Sequence, residues 1–234
     1  MPSTTDTTLH HLKISGNILF DFADSLQEAV DIKDSQSGKY LYTNQQNLNL
    51  HALEQSEEMI GKTATGLGDL SNDPNHVSLV NKIISIDQEV ITHKKVCRDN
   101  KITFANRLGT IQVIELVKTP VLNEQEEVSA IMTISHDLTK KMNHFERLEL
   151  YKNHYTKKSI AVSHFMKHLK IEPFFQETLT EKEMICLLHL SHKKTYKQIA
   201  AQTFTSIKTI ETHISNTISK LNKTTLQAVI QFLQ

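Results

Sequence analysis

The sequence predicts two domains of different class: an α+β domain, with one antiparallel sheet and helices on one face, and then an all-α domain. Strand-like runs end near residue 138, and helical periodicity continues from there to the last residue. The charge changes sign at the same place. Of 26 basic and 26 acidic side chains, residues 1–138 hold 11 and 19, a net of −8, which leaves 15 and 7, a net of +8, for residues 139–234. The net charge of zero is therefore a cancellation, and the basic half is a candidate partner for an anionic polymer.

Several protein classes are excluded by the composition and the ends of the sequence. No apolar run approaches the roughly 18 residues that a membrane helix needs, and the N-terminus has neither the basic nor the apolar region of a secretory signal. Cys97 and Cys186 are the only cysteines, which is too few for a disulfide framework. We therefore expect a cytoplasmic protein with reduced thiols and no membrane contact, in which residues 1–20 form a tail or a short helix.

The first domain, residues 21–138, is predicted from strand and turn signals. Residues 29–34 and 40–43 are strand candidates joined by the turn SQSGK, and the later candidates are residues 96–106, 110–118 and 129–135, with PVLNEQEE as the loop of the last hairpin. Residues 44–50 and 56–59 favour short helical turns, and Gly61 stands where a helix C-cap glycine belongs. Residues 75–93 indicate a helix interrupted near Ser85, with the apolar positions Val77, Val80, Ile84, Val90 and Ile91.

Residues 139–174 are predicted to form a helical linker. The apolar residues at its start recur every three or four positions, which places them on one side of a helix: Leu138, Met142, Phe145, Leu148, Tyr151 and Tyr155. The pattern leaves two interpretations open. The stripe is either a dimer seam or the face by which an amphipathic helix packs on its own domain.

The last domain, residues 175–234, is predicted from the starts of individual helices. Thr180 with Glu183, and Thr195 with Gln198, form capping boxes that each begin a helix, and Ser206 is a plausible N-cap for a third helix. The third helix has a predicted buried stripe: Ile210, Ile214, Thr217, Ile218 and Leu221.

The opposite face of this third helix is polar, and its side chains are mostly short: Lys208, Glu211, Thr212, Ser215 and Ser219. A slim helix face that can form hydrogen bonds fits the major groove of DNA, which is about 12 Å wide. A solvated polar surface is the other meaning of this pattern.

The run LTEKEMICLLHLSHKKTYKQIAAQTFTSIKTIETHISNTISKL resembles the LuxR/GerE-type helix-turn-helix over about 55 residues at fixed spacing. The matching positions are Leu179, Thr180, Glu183, Lys197, Ile199, Ala200, Lys208, Thr209, Ile210, His213, Asn216, Lys220 and Leu221. The resemblance implies a four-helix DNA-binding domain, with residues 195–202 as scaffold helix, 207–221 as recognition helix and 226–233 as a dimer contact. The sequence departs from the family pattern at Lys193, which replaces a glycine, at Thr203 and Thr205 in the turn, and at Glu211.

The polar face and the resemblance together predict two groups of DNA contacts. Base edges are expected to be read by Glu211, Thr212, Ser215 and Ser219. Phosphates are expected to be held by Lys197, Lys208, Thr209 and Lys220, which position the protein without specifying sequence.

The first domain is similar to a PAS domain over residues 21–138, through AVDIKDSQSGKYLYTN, then MIGKT, then VKTPVLNEQEEVSAIMTISHDLTKK. This resemblance implies a domain that senses a small molecule, cofactor or partner and passes the signal through a C-terminal helix. The cofactor stays unknown. Cys97 is expected to be a small buried hydrophobe, the histidines, His76 among them, show no repeated metal-ligand spacing, and G-L-G at residues 66–68 indicates a loop.

Two other functions of the chain compete with this interpretation. SHDLTKK around His136 superficially resembles the phosphoacceptor box of sensor histidine kinases, but no ATP-binding domain follows, so we predict no catalytic residue. Residues 175–234 carry seven lysines against four glutamates, a modest +3, which leaves a degenerate fold for protein contact as the alternative. We predict a bacterial transcription regulator that binds double-stranded DNA as a homodimer and takes a small molecule in its PAS-like domain.

Overall fold

The computed structural model describes residues 18–68 and 73–234 of the chain. The chain divides into two compact units, Met1–Lys140 and Lys141–Gln234. The first contains an antiparallel sheet with helices and the second is helical, so the predicted fold class is confirmed. Residues 1–17 of the predicted tail lie outside the described residues, and residues 18–25 form helix α1.

The first unit is built on a five-stranded antiparallel sheet in the order β2-β1-β5-β4-β3. Its strands are β1 (Ala29–Asp34), β2 (Tyr40–Thr43), β3 (Cys97–Ala105), β4 (Ile111–Leu122) and β5 (Val128–Asp137). Between β2 and β3 the chain forms α2 (Gln45–His51), a 3₁₀ turn (Ser56–Glu58), α3 (Ala64–Gly68) and α4 (His76–His93). Gly61, with a φ of 78°, follows the 3₁₀ turn as predicted.

Strand β4 extends four residues beyond the predicted strand, into the stretch that was predicted as a loop. Pro120 lies in this extension and pairs with Ile131 of β5. Because the pairing with β3 ends at Lys118, Pro120 has a neighbouring strand on one side only, and its missing N–H removes no ladder bond. The turn that follows is closed by Asn123, whose Oδ1 accepts hydrogen bonds from the amides of Gln125 and Glu127 at 3.0 and 2.9 Å.

Helix α4 covers the sheet and runs without a break through Ser85, so the predicted interruption is wrong. Of its apolar positions, Val80 and Val90 are buried, whereas Val77 and Ile84 are exposed. The helix instead packs Leu79, Ile83 and Ile86 against a buried cluster of the sheet and α2. Apolar residues lie on both sides of this helix, and periodicity alone does not say which side faces the sheet.

Asn44 joins three segments of the first unit through its buried side chain. Its Oδ1 accepts hydrogen bonds from the amides of Val30 at 2.9 Å and Asn47 at 3.0 Å, the second of which caps α2. Its Nδ2 donates to the carbonyls of Ala23 at 3.1 Å and Glu28 at 2.9 Å. The amide group therefore fixes α1, the start of β1 and the start of α2 to one another.

The second unit contains six helices within residues 141–234. They are α5 (His144–His154), α6 (Lys158–His168), α7 (Glu181–Ser191), α8 (Tyr196–Thr203), α9 (Ile207–Ser219) and α10 (Leu226–Phe232), with a 3₁₀ turn at Glu172–Phe174. The predicted capping boxes of Thr180 with Glu183 and of Thr195 with Gln198 are both present, and Ser206 caps α9.

The predicted linker is part of this second unit. Leu148, Tyr151 and Tyr155 are buried, and the ring of Phe145 packs at a tilt against His189 of α7, with ring centroids 4.6 Å apart. Leu148, Tyr151 and Tyr155 therefore pack on their own domain, as the second of the two interpretations predicts. The stripe also belongs to a shorter helix than predicted, since α5 begins at His144.

Replacing Asn44 by alanine should lower the free energy of unfolding by about 3 kcal/mol, because two backbone amides and two carbonyls each lose a hydrogen bond in a buried place. Urea denaturation of the full chain measures this. The matched control is Asn49→Ala, which removes an exposed amide from the same helix and should change the free energy by roughly 0.5 kcal/mol or less. Equal losses for both variants would contradict the role given to Asn44.

Candidate nucleic-acid interface and ligand cavity

Helix α9 is held against the second unit by one face. Ile210, Ile214 and Thr217 are buried, and the first two pack on Cys186 of α7 and on Ile199 and Ala200 of α8. At its start, Ser206 Oγ accepts the amide of Thr209 at 3.0 Å. The predicted buried stripe is too long, because Ile218 is 50% exposed and α9 ends one residue after it.

The five residues predicted on the opposite face of α9 are all exposed: Lys208, Glu211, Thr212, Ser215 and Ser219. Thr212 Oγ1 donates to the carbonyl of Lys208 at 3.0 Å, and Ser219 Oγ donates to that of Asn216 at 2.8 Å. These hydroxyl protons are bonded within the helix, so the oxygen lone pairs are what these two side chains present outward. Asn216 is also exposed, four positions after Thr212. Its spacing places it beside this face, although it was not among the predicted DNA contacts.

The four predicted phosphate contacts have different surroundings. Lys197 and Lys208 are exposed. The hydroxyl of Thr209 lies 2.9 Å from Ser206 Oγ at the cap of α9. Lys220, the C-cap of α9, is paired with a carboxylate instead of being free on the surface.

Lys220 Nζ lies 2.8 Å from Oε2 of Glu183, a buried residue in the first turn of α7. The same oxygen accepts the Thr180 amide at 2.7 Å in the capping box. Burial raises the pKa of the Glu183 carboxyl, but the Lys220 ammonium and the Thr180 amide outweigh it, so the pKa lies below the ordinary value. One carboxylate thus caps α7 and fixes the end of α9.

Two of the positions that depart from the family pattern, Lys193 and Thr203, have structural roles. Lys193 adopts a φ of 59° after α7, and the amides of Lys193 and Lys194 donate to the carbonyls of Leu190 and His189 in a Schellman arrangement. A left-handed residue explains why glycine is usual there. In the turn, Thr203 Oγ1 donates to the carbonyl of Ile199 at 2.8 Å, so its hydroxyl is satisfied, and Phe204 is 96% exposed.

The first unit contains a partly open cavity of about 100 Å³ between the sheet and helices α3 and α4. Most of its wall is apolar, with Leu53, Leu67, Leu79, Ile83, Phe104 and Leu116 among the lining residues. Charged residues line it too: Asp31 and Lys33 of β1 and Lys118 of β4. None of these three charged residues was predicted as a site residue, although Asp31 and Lys33 at alternate positions of a short apolar strand were a signal for them.

Asp87 of α4 holds both of these lysines. Its Oδ2 lies 2.9 Å from Lys33 Nζ, and its Oδ1 accepts from Lys118 Nζ. Both lysine side chains are almost completely buried. Burial raises the pKa of the Asp87 carboxyl, yet the two ammonium groups outweigh burial and hold that pKa below its ordinary value. The helix is therefore joined to β1 and β4 by two ion pairs at the cavity.

Two further groups at this cavity have shifted pKa values. Burial, helped by the charge of Lys33, lowers the pKa of His51 to about 4, so its imidazole is neutral at pH 7. Burial raises the pKa of Asp31 in spite of the two nearby lysines. Thr133, which pairs with Asp31 on strand β5, also acts to lower this pKa but does not outweigh burial.

The two cysteines and His136 have different surroundings. Cys97 is half-buried at the start of β3, less enclosed than predicted, while Cys186 is buried. His136 lies in β5, with Nδ1 3.8 Å from Glu28. Across residues 18–68 and 73–234, no group of three or more His, Cys, Asp or Glu side chains is arranged to hold a metal ion. Within the same ranges, no helix combines the length and apolar character needed to cross a membrane.

Replacing Lys220 by alanine should lower the free energy of unfolding of the second unit by about 2 kcal/mol, because Glu183 is left buried without its partner. The pair contributes stability above the unfolded pKa of Glu183, near 4.5, and loses it as the pH falls through the lower folded value. The difference between native and variant chains should therefore shrink in acid. Urea titrations followed by circular dichroism at neutral and acid pH test this.

The control for this prediction is Lys197→Ala, which removes an exposed lysine from the adjoining helix and should leave the free energy of unfolding within roughly 0.5 kcal/mol. If the two variants are equally stable, Lys220 is not a structural ion-pair partner.

Residues 23–142 match the family described as PAS fold, and residues 177–233 match bacterial regulatory proteins of the luxR family. No curated protein matches the chain in a sequence comparison.

Several solved structures are similar to the chain at low sequence identity. A Vibrio cholera VqmA–ligand–DNA complex is 20% identical, with 94% of this chain and 85% of that chain covered and a TM-score of 0.44. A phage VqmA–DPO complex is also 20% identical, with 94% and 86% covered and a TM-score of 0.44. The PAS domain of Bordetella pertussis BvgS is 16% identical, with 60% and 93% covered and a TM-score of 0.46.

The two family matches agree with the sheet and cavity of the first unit and with the capped helices α7 to α9 of the second. The chain therefore belongs to the PAS fold family through residues 23–142 and carries a C-terminal luxR-family domain at residues 177–233.

Proposed function

We propose that this chain is a cytoplasmic transcription regulator that binds double-stranded DNA with α9 and whose PAS domain binds a small molecule that controls this binding. The observation that carries the proposal is the exposed polar face of α9. It lies opposite three buried residues, its start is capped by Ser206, and it belongs to a luxR-family domain. A helix held by one face, with short polar side chains on the other, is the form that enters a major groove.

The DNA contacts are divided between two roles in this proposal. Glu211, Thr212, Ser215 and Ser219 contact base edges, since they are exposed along the face. Lys197, Lys208 and Thr209 contact phosphates near the start of α9. Lys220 also contacts phosphate, but its charge is offset by the paired carboxylate of Glu183. Its contribution to phosphate binding is therefore the smallest of the four.

The chain acts as a homodimer in this proposal. Two copies present two recognition helices, which read half-sites about one turn of DNA apart. A dimer also supplies the charge that one copy lacks, because seven lysines against four glutamates in residues 175–234 give only +3 for each helix-turn-helix domain. We propose no catalytic residue and no metal.

A second candidate function is a protein-interaction regulator whose helix-turn-helix does not read DNA. This candidate is favoured by the net charge of only +3 in residues 175–234 and by the exposed side chains of Phe204 and Ile207. Exposed apolar side chains mark protein contacts. Genome-wide DNA pull-down with the full chain separates the two. An enriched palindromic sequence supports DNA reading and gives the operator, and recovery of no sequence above background supports protein contact.

Lys208→Ala should weaken binding to the operator and to unrelated DNA by the same factor. The slope of log affinity against log salt should become shallower by about one unit, because one phosphate contact is lost. Fluorescence anisotropy across a salt series measures both. Lys101→Ala, which removes an exposed lysine from the first unit, controls for net charge and should leave the slope unchanged. A loss confined to the operator would contradict a phosphate role.

Ser215→Ala should alter the preference at one base pair by roughly 1–3 kcal/mol and leave binding to unrelated DNA nearly unchanged, since it removes a contact to one base edge. Competition between operators that differ at single base pairs measures this. Ser159→Ala, at an exposed serine of α6, is the matched control and should change no preference. A uniform loss across all base-pair variants would show that Ser215 does not read a base.

A further inference from the structure

The exposed face of α9 carries one acidic side chain, that of Glu211. It is the fifth residue of α9 and is exposed. Within residues 18–68 and 73–234, no ion pair or hydrogen bond involves its carboxylate. Phosphates repel a carboxylate on a face that meets DNA. A hydrogen-bond donor on a base offsets this repulsion, so Glu211 restricts which base can lie opposite it.

Two hydroxyl groups on the same face also act as acceptors. The Thr212 hydroxyl donates its proton to the carbonyl of Lys208 at 3.0 Å. The Ser219 hydroxyl donates its proton to the carbonyl of Asn216 at 2.8 Å. Each of these oxygens therefore presents lone pairs to a partner outside the helix. Together with Glu211 they make this face one of hydrogen-bond acceptors.

The side chains that read guanine are missing from this face. Guanine shows two acceptors in the major groove, O6 and N7, which arginine or lysine reads. The last arginine of the sequence is Arg147, so none lies in the luxR-family match at residues 177–233. The only lysine of α9 is Lys208, in its first turn, and Lys220 at its C-cap is paired with Glu183.

The donors that DNA bases offer narrow the partner of Glu211 to one base. In the major groove, cytosine carries an amino group at N4 and adenine carries one at N6. Adenine also presents the acceptor N7 beside its amino group, and N7 repels the second oxygen of a carboxylate. Cytosine presents its amino group with no acceptor beside it. The oxygens of guanine and thymine repel a carboxylate outright.

We infer that Glu211 selects a cytosine in each half-site by accepting a hydrogen bond from its N4 amino group. Thr212 and Ser219 extend the same preference for amino-bearing bases along the groove. The inference rests on the proposed DNA-reading function and names the base that α9 specifies. Lys208 lies one turn before Glu211, so a phosphate contact there offsets the repulsion between the carboxylate and the DNA backbone.

The test is selection of duplexes from a random-sequence library by the full chain, followed by competition between duplexes that differ at single base pairs. The unaltered chain should retain a cytosine at one position of each half-site, and another base there should weaken binding about ten-fold. Glu211→Gln should move the preference at that position to adenine, because glutamine accepts from N6 and donates to N7. Glu211→Lys should move it to guanine, which lysine reads.

The matched control is Glu177→Gln, which removes the same charge from an exposed glutamate of the second unit outside α9 and should keep the cytosine. A second measurement isolates the amino group. Replacing the selected cytosine by 2-pyrimidinone, which lacks that group, should weaken binding of the unaltered chain about ten-fold more than binding of the Glu211→Ala chain. The variant has no carboxylate that could lose its partner.

A cytosine retained by both the Glu211→Gln and the Glu211→Lys chains would overturn the inference and leave DNA reading by α9 intact. The same holds if the position that responds to Glu211 prefers a base other than cytosine in the unaltered chain. An equal gain in affinity of these variants for every duplex would show that Glu211 only repels phosphate, which also overturns the inference. Selection of no duplex above background by the unaltered chain would instead contradict the proposed function itself.

Discussion

The first unit depends on the position of one carboxylate, that of Asp87. Helix α4 is the largest element on the face of the sheet, and its apolar contacts alone do not fix where along the sheet it lies. Asp87 removes that freedom, because its two oxygens each bind a buried lysine on a different strand. Removing any of the three groups leaves the others charged in an apolar interior, which is costly. The cavity exists as a defined space because this helix is held there.

The second unit reaches a defined geometry through helix ends. Thr180, Thr195 and Ser206 each cap a helix start with a side-chain oxygen, and Lys193 and Phe204 each follow a helix end in the left-handed conformation. Short helices gain little stability from their own hydrogen bonds, so caps and the small core around Ile199 and Ile210 set their directions. The polar face of α9 is presented at a fixed angle as a result.

The parts of this structure that could be predicted from the sequence are those specified by local chemistry. A helix start such as Thr180 can be predicted because a hydroxyl stands three residues before a carboxylate. The strands can be predicted because apolar side chains recur at every second position. The failures have a common cause in contacts between distant residues. Pro120 is accommodated in β4 because the pairing with β3 does not reach it. Val77 is exposed because Leu79 faces the sheet. Lys220 binds Glu183, which is 37 residues away in the sequence. The pocket around Asp31 was missed for the same reason, since its charged residues come from three separate elements.

The chain entering the helix-turn-helix is bonded to the far end of its recognition helix. The amide of Gln176 donates to the carbonyl of Lys220, and the amide of Asn222 donates to that of Phe174, each at 2.8 Å. The segment before α7 and the exit of α9 thus form a short two-stranded clasp. Because these bonds join the segment after α6 to the C-terminal end of α9, a displacement of that segment would be transmitted to α9 as a whole. Regulation through this clasp would change the spacing and angle between two recognition helices, so it would act on which half-site separations are tolerated and not on which bases are read.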